Sequence, residues 1–203
     1  TGTFLLRPMV GFYSGVDNPH GLLDGIVLDH LITSLRPEAQ IMAMHVLGTI
    51  PEYKKTLILV DPMKKRSRKS LNVRSWRQAY KLVAKGGALV VFPAGAVSHY
   101  RLSSNKVLDP DWSPHIASLA RRTGATVFPI FIHGRNNFLF QITGTVSRRL
   151  QNLLIFKQLP KMRNRSLSIT VGKPLVPESW THIGDDETLS NHFRDHVEIL
   201  DRT

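Results

Sequence analysis

Residues 86–95 read Gly-Gly-Ala-Leu-Val-Val-Phe-Pro-Ala-Gly. The unbroken apolar run from Ala88 to Phe92 is strand-sized and shows no polar alternation, so it reads as a strand buried on both faces in a parallel sheet. Gly86-Gly87 closes the preceding element as a helix C-terminal cap would, and Pro93-Ala94-Gly95 turns the chain out of the strand. Working backwards, Leu71 to Lys85 places Val73, Trp76, Tyr80 and Val83 on one helical face. Working forwards, Ser113-Pro114 has the form of an N-cap followed by proline at the first helical position, predicting a helix that reaches Arg122 and ends at Gly124. Thr126 to Ile132 (TVFPIFI) is a second buried strand, and its internal Pro129 predicts an edge position or an irregular ladder. Helix, strand, helix and strand in this order define an α/β domain: a mostly parallel central sheet flanked by helices.

The outer segments extend the same pattern. Gly25 to Leu35 carries apolar residues at 27, 28, 31, 32 and 35, a helical stripe that Arg36-Pro37 ends. Thr56 to Val60 is a short strand stopped by Asp61-Pro62, Ser166 to Val171 alternates as a strand does, and Glu187 to Leu200 forms an amphipathic helix. No repeat or linker interrupts them, so residues 1–203 are expected to be one domain, and the start at Thr1 suggests that residues of a longer protein precede it.

Composition narrows the function classes. The chain has no cysteine, which excludes disulfides, thiolate chemistry and cysteine-ligated zinc. Its other histidines (His30, His45, His99, His115, His182, His192 and His196) suggest no metal centre, so no metal is expected. No apolar run approaches the roughly 20 residues that span a bilayer. The net charge of +12 favours an anionic partner: a lipid headgroup surface, a nucleic acid or an acidic protein. Lys64, Lys65, Arg66, Arg68 and Lys69 form a dense run, basic residues recur from Arg148 to Arg165, and the last twenty residues reverse sign. Aromatics do not interleave with the basic run and no nucleic-acid motif accompanies it, so nucleic acid is not expected as a partner.

Three segments occupy the strand-to-helix turns where α/β sheets place their sites. Asn18 to Gly25 (NPHGLLDG) sets His20 one helical turn from Asp24, a spacing that allows a carboxylate to orient an imidazole acting as a general base. Such a pair also serves merely to cap a helix. Phe92 to Ser98 (FPAGAVS) offers Phe92, Pro93, Ala94, Gly95 and Ser98 after a buried strand, where free backbone N–H groups can hold a phosphate or carboxylate. A tight turn needing Gly95 is the simpler alternative. His133 to Asn137 (HGRNN) adds Arg135 for an anion and Asn136 as hydrogen-bond donor and acceptor, while His133 itself reads as a satisfied structural histidine.

Taken together, NPHGLLDG, FPAGAVS and TGATVFPIFIHGRNN, with Arg36-Pro37-Glu38, IPEYKK, the LVDP stretch, DPDWSP and SITVGKPL, resemble the lysophospholipid acyltransferase superfamily. The similarity is nearest to its branch of hemolysin-like proteins and ornithine-lipid acyltransferases and runs from about Val10 to Leu175. The resemblance implies a glycerol-phosphate acyltransferase-like fold. It also implies transfer of a fatty acyl group from acyl carrier protein or acyl-CoA to the hydroxyl or amine of a lyso-lipid or aminolipid precursor. No cofactor is bound tightly in such a reaction; the acyl-ACP or acyl-CoA is a co-substrate. The implied setting is peripheral, on the cytoplasmic face of the inner membrane. The implied catalytic pair is a histidine base with the aspartate at Asp24, and the FPxG segment is implied to contact the polar part of the acceptor.

The chain departs from the branch pattern where the base belongs. Aligning Pro19, Gly21, Asp24 and Gly25 with Asn-His-Pro-x-Gly-x-x-Asp-Gly puts Asn18 at the histidine and Asp17 at the asparagine. Either His20 supplies the base from two residues away, or the chain is a catalytically degenerate lipid-binding module of the same fold. Ala94 stands where the glycerolipid enzymes carry glutamate, which argues against plain lysophosphatidate as acceptor.

Overall fold

A computed structural model of the chain describes residues 9–14, 21–44, 48, 55–61, 69–93, 99–101, 106–108, 112–133 and 168–202. Strands β1 (Met9–Ser14), β2 (Gln40–Met44), β3 (Leu57–Val60) and β4 (Ala88–Val91) join two later strands in one sheet. Between them, β5 (His99–Arg101) and β6 (Lys106–Leu108) form a separate antiparallel pair. The later strands are β7 (Thr126–His133) and β8 (Ser168–Val171). The sheet order is β3-β2-β4-β1-β7-β8, and only the β7–β8 pairing is antiparallel.

Parallel neighbours require crossovers, and crossovers are right-handed. Helix α1 (Gly21–Leu35) carries the chain from β1 outwards to β2. Helices α2 (Lys69–Ala84) and α3 (His115–Thr123) carry it the opposite way, from β3 to β4 and from β4 to β7. One handedness with two directions puts α1 on one face of the sheet and α2 and α3 on the other. Burial follows that division. Leu28 of α1 packs with Ile41, Ala43, Val90, Ile130 and Ile132. On the other face, Ala79 and Val83 of α2 and Ile116 and Leu119 of α3 pack over Met42, Leu89, Val91, Val127 and Phe131. Leu89 and Val91 face one way and Val90 the other, the two-residue alternation of a strand covered on both sides. A short helix α4 (Pro177–Trp180) and then α5 (Asp186–Glu198), capped at Asp185 by a bond from the Thr188 N–H (2.8 Å), complete the larger layer. A 3-10 turn, Ile199–Arg202, follows.

Four details differ from the sequence expectations. Strands β1 and β2 are additional to those read from the sequence, and β1 is the centre of the sheet. Helix α1 begins at Gly21 rather than Gly25, so Asp24 and Gly25 lie in helix despite the weak helical propensity of glycine. In α2 the buried face holds Ser75, Ala79 and Val83, while Val73 and Tyr80 are exposed. Small residues let that helix approach the sheet closely enough for the Ser75 hydroxyl to donate to the Leu59 carbonyl, so the larger side chains turn outwards. Of the two expectations for Pro129, the irregular ladder holds and the edge position does not, since β7 is an interior strand. Val127 pairs with Leu175 but Ile130 with Val171, so an extra residue is accommodated opposite Phe128 and Pro129. Pro129 needs no N–H at that bulge, and its carbonyl accepts from the Gly172 N–H (2.8 Å).

The glycine stops behave as read. Gly86 has φ 86°, its N–H donates to Val83 (2.9 Å), and the Gly87 N–H donates to Leu82 (3.0 Å), the two reversed bonds of a Schellman cap. Gly124 caps α3 in the left-handed region. At the start of α3, Ser113 contributes its carbonyl, which accepts from Ile116 (3.1 Å). Among the described residues no helix is long and apolar enough to cross a membrane.

Arg36 ties the two layers together at the amino end of the sheet. Its guanidinium donates to the Gly86 carbonyl (2.6 Å) and to Glu38 (2.7 Å), with its side chain 9% exposed. The turn after α1 is thereby bound to the turn before β4. We expect Arg36→Ala to lower unfolding free energy by about 2–3 kcal/mol, because a part-buried carbonyl loses a charged donor and the packing of a buried side chain is lost with it. Glu38→Gln, at a carboxylate 46% exposed, should cost under about 1 kcal/mol. Urea melts of the two variants check the contrast; equal losses would deny Arg36 the clamp role.

Candidate functional site

The three segments singled out in the sequence leave the sheet from three adjacent strands. β1 lies between β4 and β7, with Phe12 level with Val91 of β4 and Ser14 level with Phe131 of β7. All three run parallel, so their carboxyl ends open on one side, within about 10 Å across the three strands at the usual spacing of about 4.8 Å. After Ser14 the chain passes through residues 15–20 to α1 on one face. After Pro93 it passes through 94–98 and on to α3 on the other face. Adjacent strands whose following helices diverge to opposite faces leave a crevice between their ends, and β1 and β4 are such a pair. The first turns of α1 and α3 both stand at this end, which adds the positive ends of two helix dipoles.

His20 and Asn18, and with them Ala94, Gly95, Ser98, Arg135 and Asn136, lie outside the described residues. Asp24 is fixed by its backbone in the first turn of α1, the helix that rises directly from the β1 end of the crevice, and its side chain also lies outside the described set. A carboxylate in a first helical turn is favourable on electrostatic grounds alone, so this position serves both the catalytic and the purely structural reading of Asp24. Phe92 is half-buried and packs against the apolar cluster beneath α1, and Pro93 is buried beside it in sequence.

Two imidazoles are described near this end. His133 is the last residue of β7; its Nε2 lies 2.8 Å from the Thr170 hydroxyl, and its ring stands edge-on to Phe131 at 4.8 Å. It is partnered and packed, as a structural histidine is. His115 opens α3, exposed, with its ring 5.5 Å from Trp76 of α2. Asp61 immediately follows β3 and is buried at 2% exposure. The Asn72 side chain accepts from its N–H (2.8 Å) and donates to its carbonyl (2.9 Å), stitching α2 to the sheet edge. β3 is three strand spacings from β1, so the LVDP stretch belongs to the framework rather than to the crevice. Among the described residues no group of three or more acidic or histidine side chains could hold a metal.

A scan against protein-family models finds no match to the chain, and a search of curated proteins finds none either.

One titratable group escaped the sequence reading. Asp29, two turns into α1, is half-buried, and one carboxylate oxygen is enclosed with no hydrogen-bond partner among the described residues. Burial pushes its carboxyl above the usual aspartate value; the Thr56 hydroxyl and nearby His30 offset part of the rise. Thr56 immediately precedes β3, so Asp29 faces the amino end of the sheet, away from the crevice. A carboxyl whose folded pKa exceeds its unfolded value destabilises the fold once ionised. That cost is absent below the unfolded value of 3.8 and present in full above the folded one. Asp29→Asn should therefore raise the thermal midpoint at pH 7, with the gain shrinking as pH falls towards 3.8. A gain that stayed constant with pH would contradict the assignment.

Proposed function

We propose that the chain is the acyltransferase domain of an enzyme that moves a fatty acyl group from acyl carrier protein or acyl-CoA to the hydroxyl or amine of a lyso-lipid or aminolipid precursor in membrane lipid synthesis. The observation that supports this reading is that β1, β4 and β7, the strands that precede NPHGLLDG, FPAGAVS and HGRNN in the sequence, are adjacent and parallel, with their carboxyl ends together. The motifs are distant in sequence, and the strand order brings their anchors together.

In this reaction the acceptor loses a proton as its oxygen or nitrogen attacks the thioester carbonyl, and the thiol leaves as the carbonyl re-forms. A proton acceptor held by Asp24 is the one catalytic group required. His20 is our candidate for it, with Asn18 in the motif's usual place for the base. Phe92 to Ser98, Arg135 and Asn136 would hold the polar part of the acceptor. The enzyme would work at the cytoplasmic face of the inner membrane as a peripheral protein, with no tightly bound cofactor.

The second reading keeps the fold and the lipid site without the chemistry, and it is favoured by one residue: asparagine at position 18 cannot serve as a base near neutral pH. Turnover of radiolabelled acyl-ACP and acyl-CoA across a panel of lyso-lipid and aminolipid acceptors separates the two. If His20 is the base, His20→Ala should lower kcat by at least about a hundredfold, in line with the contribution of general-base catalysis. If the site is degenerate, wild-type turnover should be absent and Asn18→His should create it. Absence of transfer in both proteins, across the whole panel, would dispose of the acyltransferase reading.

A further inference from the structure

The charge of this molecule is sorted by element. Between Asp61 and Asp109 no acidic residue occurs, while basic residues run throughout. α2 lies inside that stretch and contains no acid at all. Its solvent side presents Arg74, Arg77 and Lys81, followed by Lys85 just past the helix end, all exposed. None of these four makes an ion pair among the described residues, since the bridges there involve Arg36, Arg121 and Arg194. Spacings of three and four residues put the cations side by side along one stripe about 16 Å long at 1.5 Å per residue. Like charges so placed repel one another within the free protein, and nothing on α2 relieves them.

Val73 and Tyr80 border the stripe. They are seven residues apart, so they share an azimuth, and they remain 49% and 42% exposed. The solvent side of α2 is therefore a row of cations beside a shallow apolar row that ends in a tyrosine, whose ring is apolar and whose hydroxyl prefers water. The opposite flank of the same layer is acidic. α5 carries Asp186, Glu187, Asp195 and Glu198, with Asp185 before it and Asp201 after it. α2 packs on β3 and β4, α5 packs on β1 and β7, and α3 lies between them. One edge of the layer is positive and the other negative, which orients the molecule in the field of a charged plane.

We infer that the outer face of α2 is a docking surface for an anionic lipid bilayer, contacted through Arg74, Arg77, Lys81 and Lys85, with Val73 and Tyr80 seated at headgroup level. The choice of occupant rests on charge complementarity together with the exposed apolar row, which a diffuse anionic surface accommodates and which points the acidic α5 edge away from the membrane. The inference takes from the proposed function only its membrane setting; it requires no acyl transfer.

The test is vesicle flotation of the whole chain, with phosphatidylcholine vesicles that contain or lack one-third phosphatidylglycerol, at low and at physiological salt. Binding should need phosphatidylglycerol and weaken as salt rises. Each basic side chain at such a surface is worth roughly a fivefold change in partition. The triple variant Arg74→Gln/Arg77→Gln/Lys81→Gln should therefore lose on the order of a hundredfold. A control with the same change in net charge, Lys55→Gln/Arg122→Gln/Lys173→Gln at exposed positions off the stripe, should stay within about threefold, since only groups near the surface contribute. Circular dichroism and thermal melts establish that both variants fold. Equal losses in the two would make net charge, and not this face, responsible, and unchanged binding by the α2 variant would overturn the inference outright. So would saturable, charge-dependent binding to acyl carrier protein in the absence of vesicle binding, which would assign the face to an acidic protein. Flotation is read without turnover, so an inactive enzyme that docks and an active one that does not are distinct results.

Discussion

Parallel pairing on both sides of β1 is the constraint from which the rest of this architecture follows. A strand in that position cannot be joined to either neighbour by a tight turn, so each connection must cross a face of the sheet. Handedness then places α1 beneath the sheet and α2 and α3 above it, and among the described residues α5 packs on the side of α2 and α3. The same constraint opens the crevice, because the chain departs from β1 to one face and from β4 to the other. Gly11, in the middle of β1, marks how tight the centre is. A Cβ there would stand 3.1 Å from the Ile130 side chain across the β1–β7 pairing, closer than carbon atoms normally pack. A side chain at the midpoint of this strand would have to displace the end of Ile130.

That glycine explains what was legible in the sequence and what was not. β4 and β7 are written as continuous runs of branched and aromatic residues, and each is stopped or started by glycine or proline, so their burial and direction are readable from residues 86–95 and 124–133. β1 reads Met-Val-Gly-Phe-Tyr-Ser and β2 reads Gln-Ile-Met-Ala-Met, sequences poor in β-branched residues, whose strand state comes from neighbours on both sides rather than from local preference. The face of α2 is legible in part: Val83 and Trp76 pack with the core, whereas Val73 and Tyr80 do not, for a related reason. Hydrophobicity singles out Val73 and Tyr80, but close approach to β3 selects Ser75 and Ala79, and packing overrode transfer preference. The sequence offers three candidate turns; that the strands before them are neighbours needed the strand order, which no local pattern encodes. Asp29 was unreadable altogether, since its burial depends on Thr56, twenty-seven positions along the chain.

The polar side chains that bridge elements show a division of labour. Arg36 binds the Gly86 turn at the amino end of the sheet. Asn72 and Ser75 fasten α2 to β3 at the sheet's far edge. Arg121, at the end of α3, donates to the Thr181 (3.1 Å) and Gly184 (2.6 Å) carbonyls and to Asp186 (3.1 Å), fixing the entry to α5. Each of these ties joins a side chain to the backbone of another element, and each lies away from the ends of β1 and β4. The framework is thus made rigid by contacts that do not involve the crevice.

None of these bridges between elements involves residue 18. Exchanging histidine for asparagine in a connecting segment removes a proton acceptor but breaks none of the ties just described, so loss of the base and loss of the fold are separate events. The positive ends of α1 and α3 would persist through such an exchange, because they belong to the backbone. So would the basic stripe of α2, which stands on another element altogether. If the proposed function holds, the helix ends and the basic stripe are the features that would outlast such an exchange, and catalysis is the one that a single side chain would add or remove.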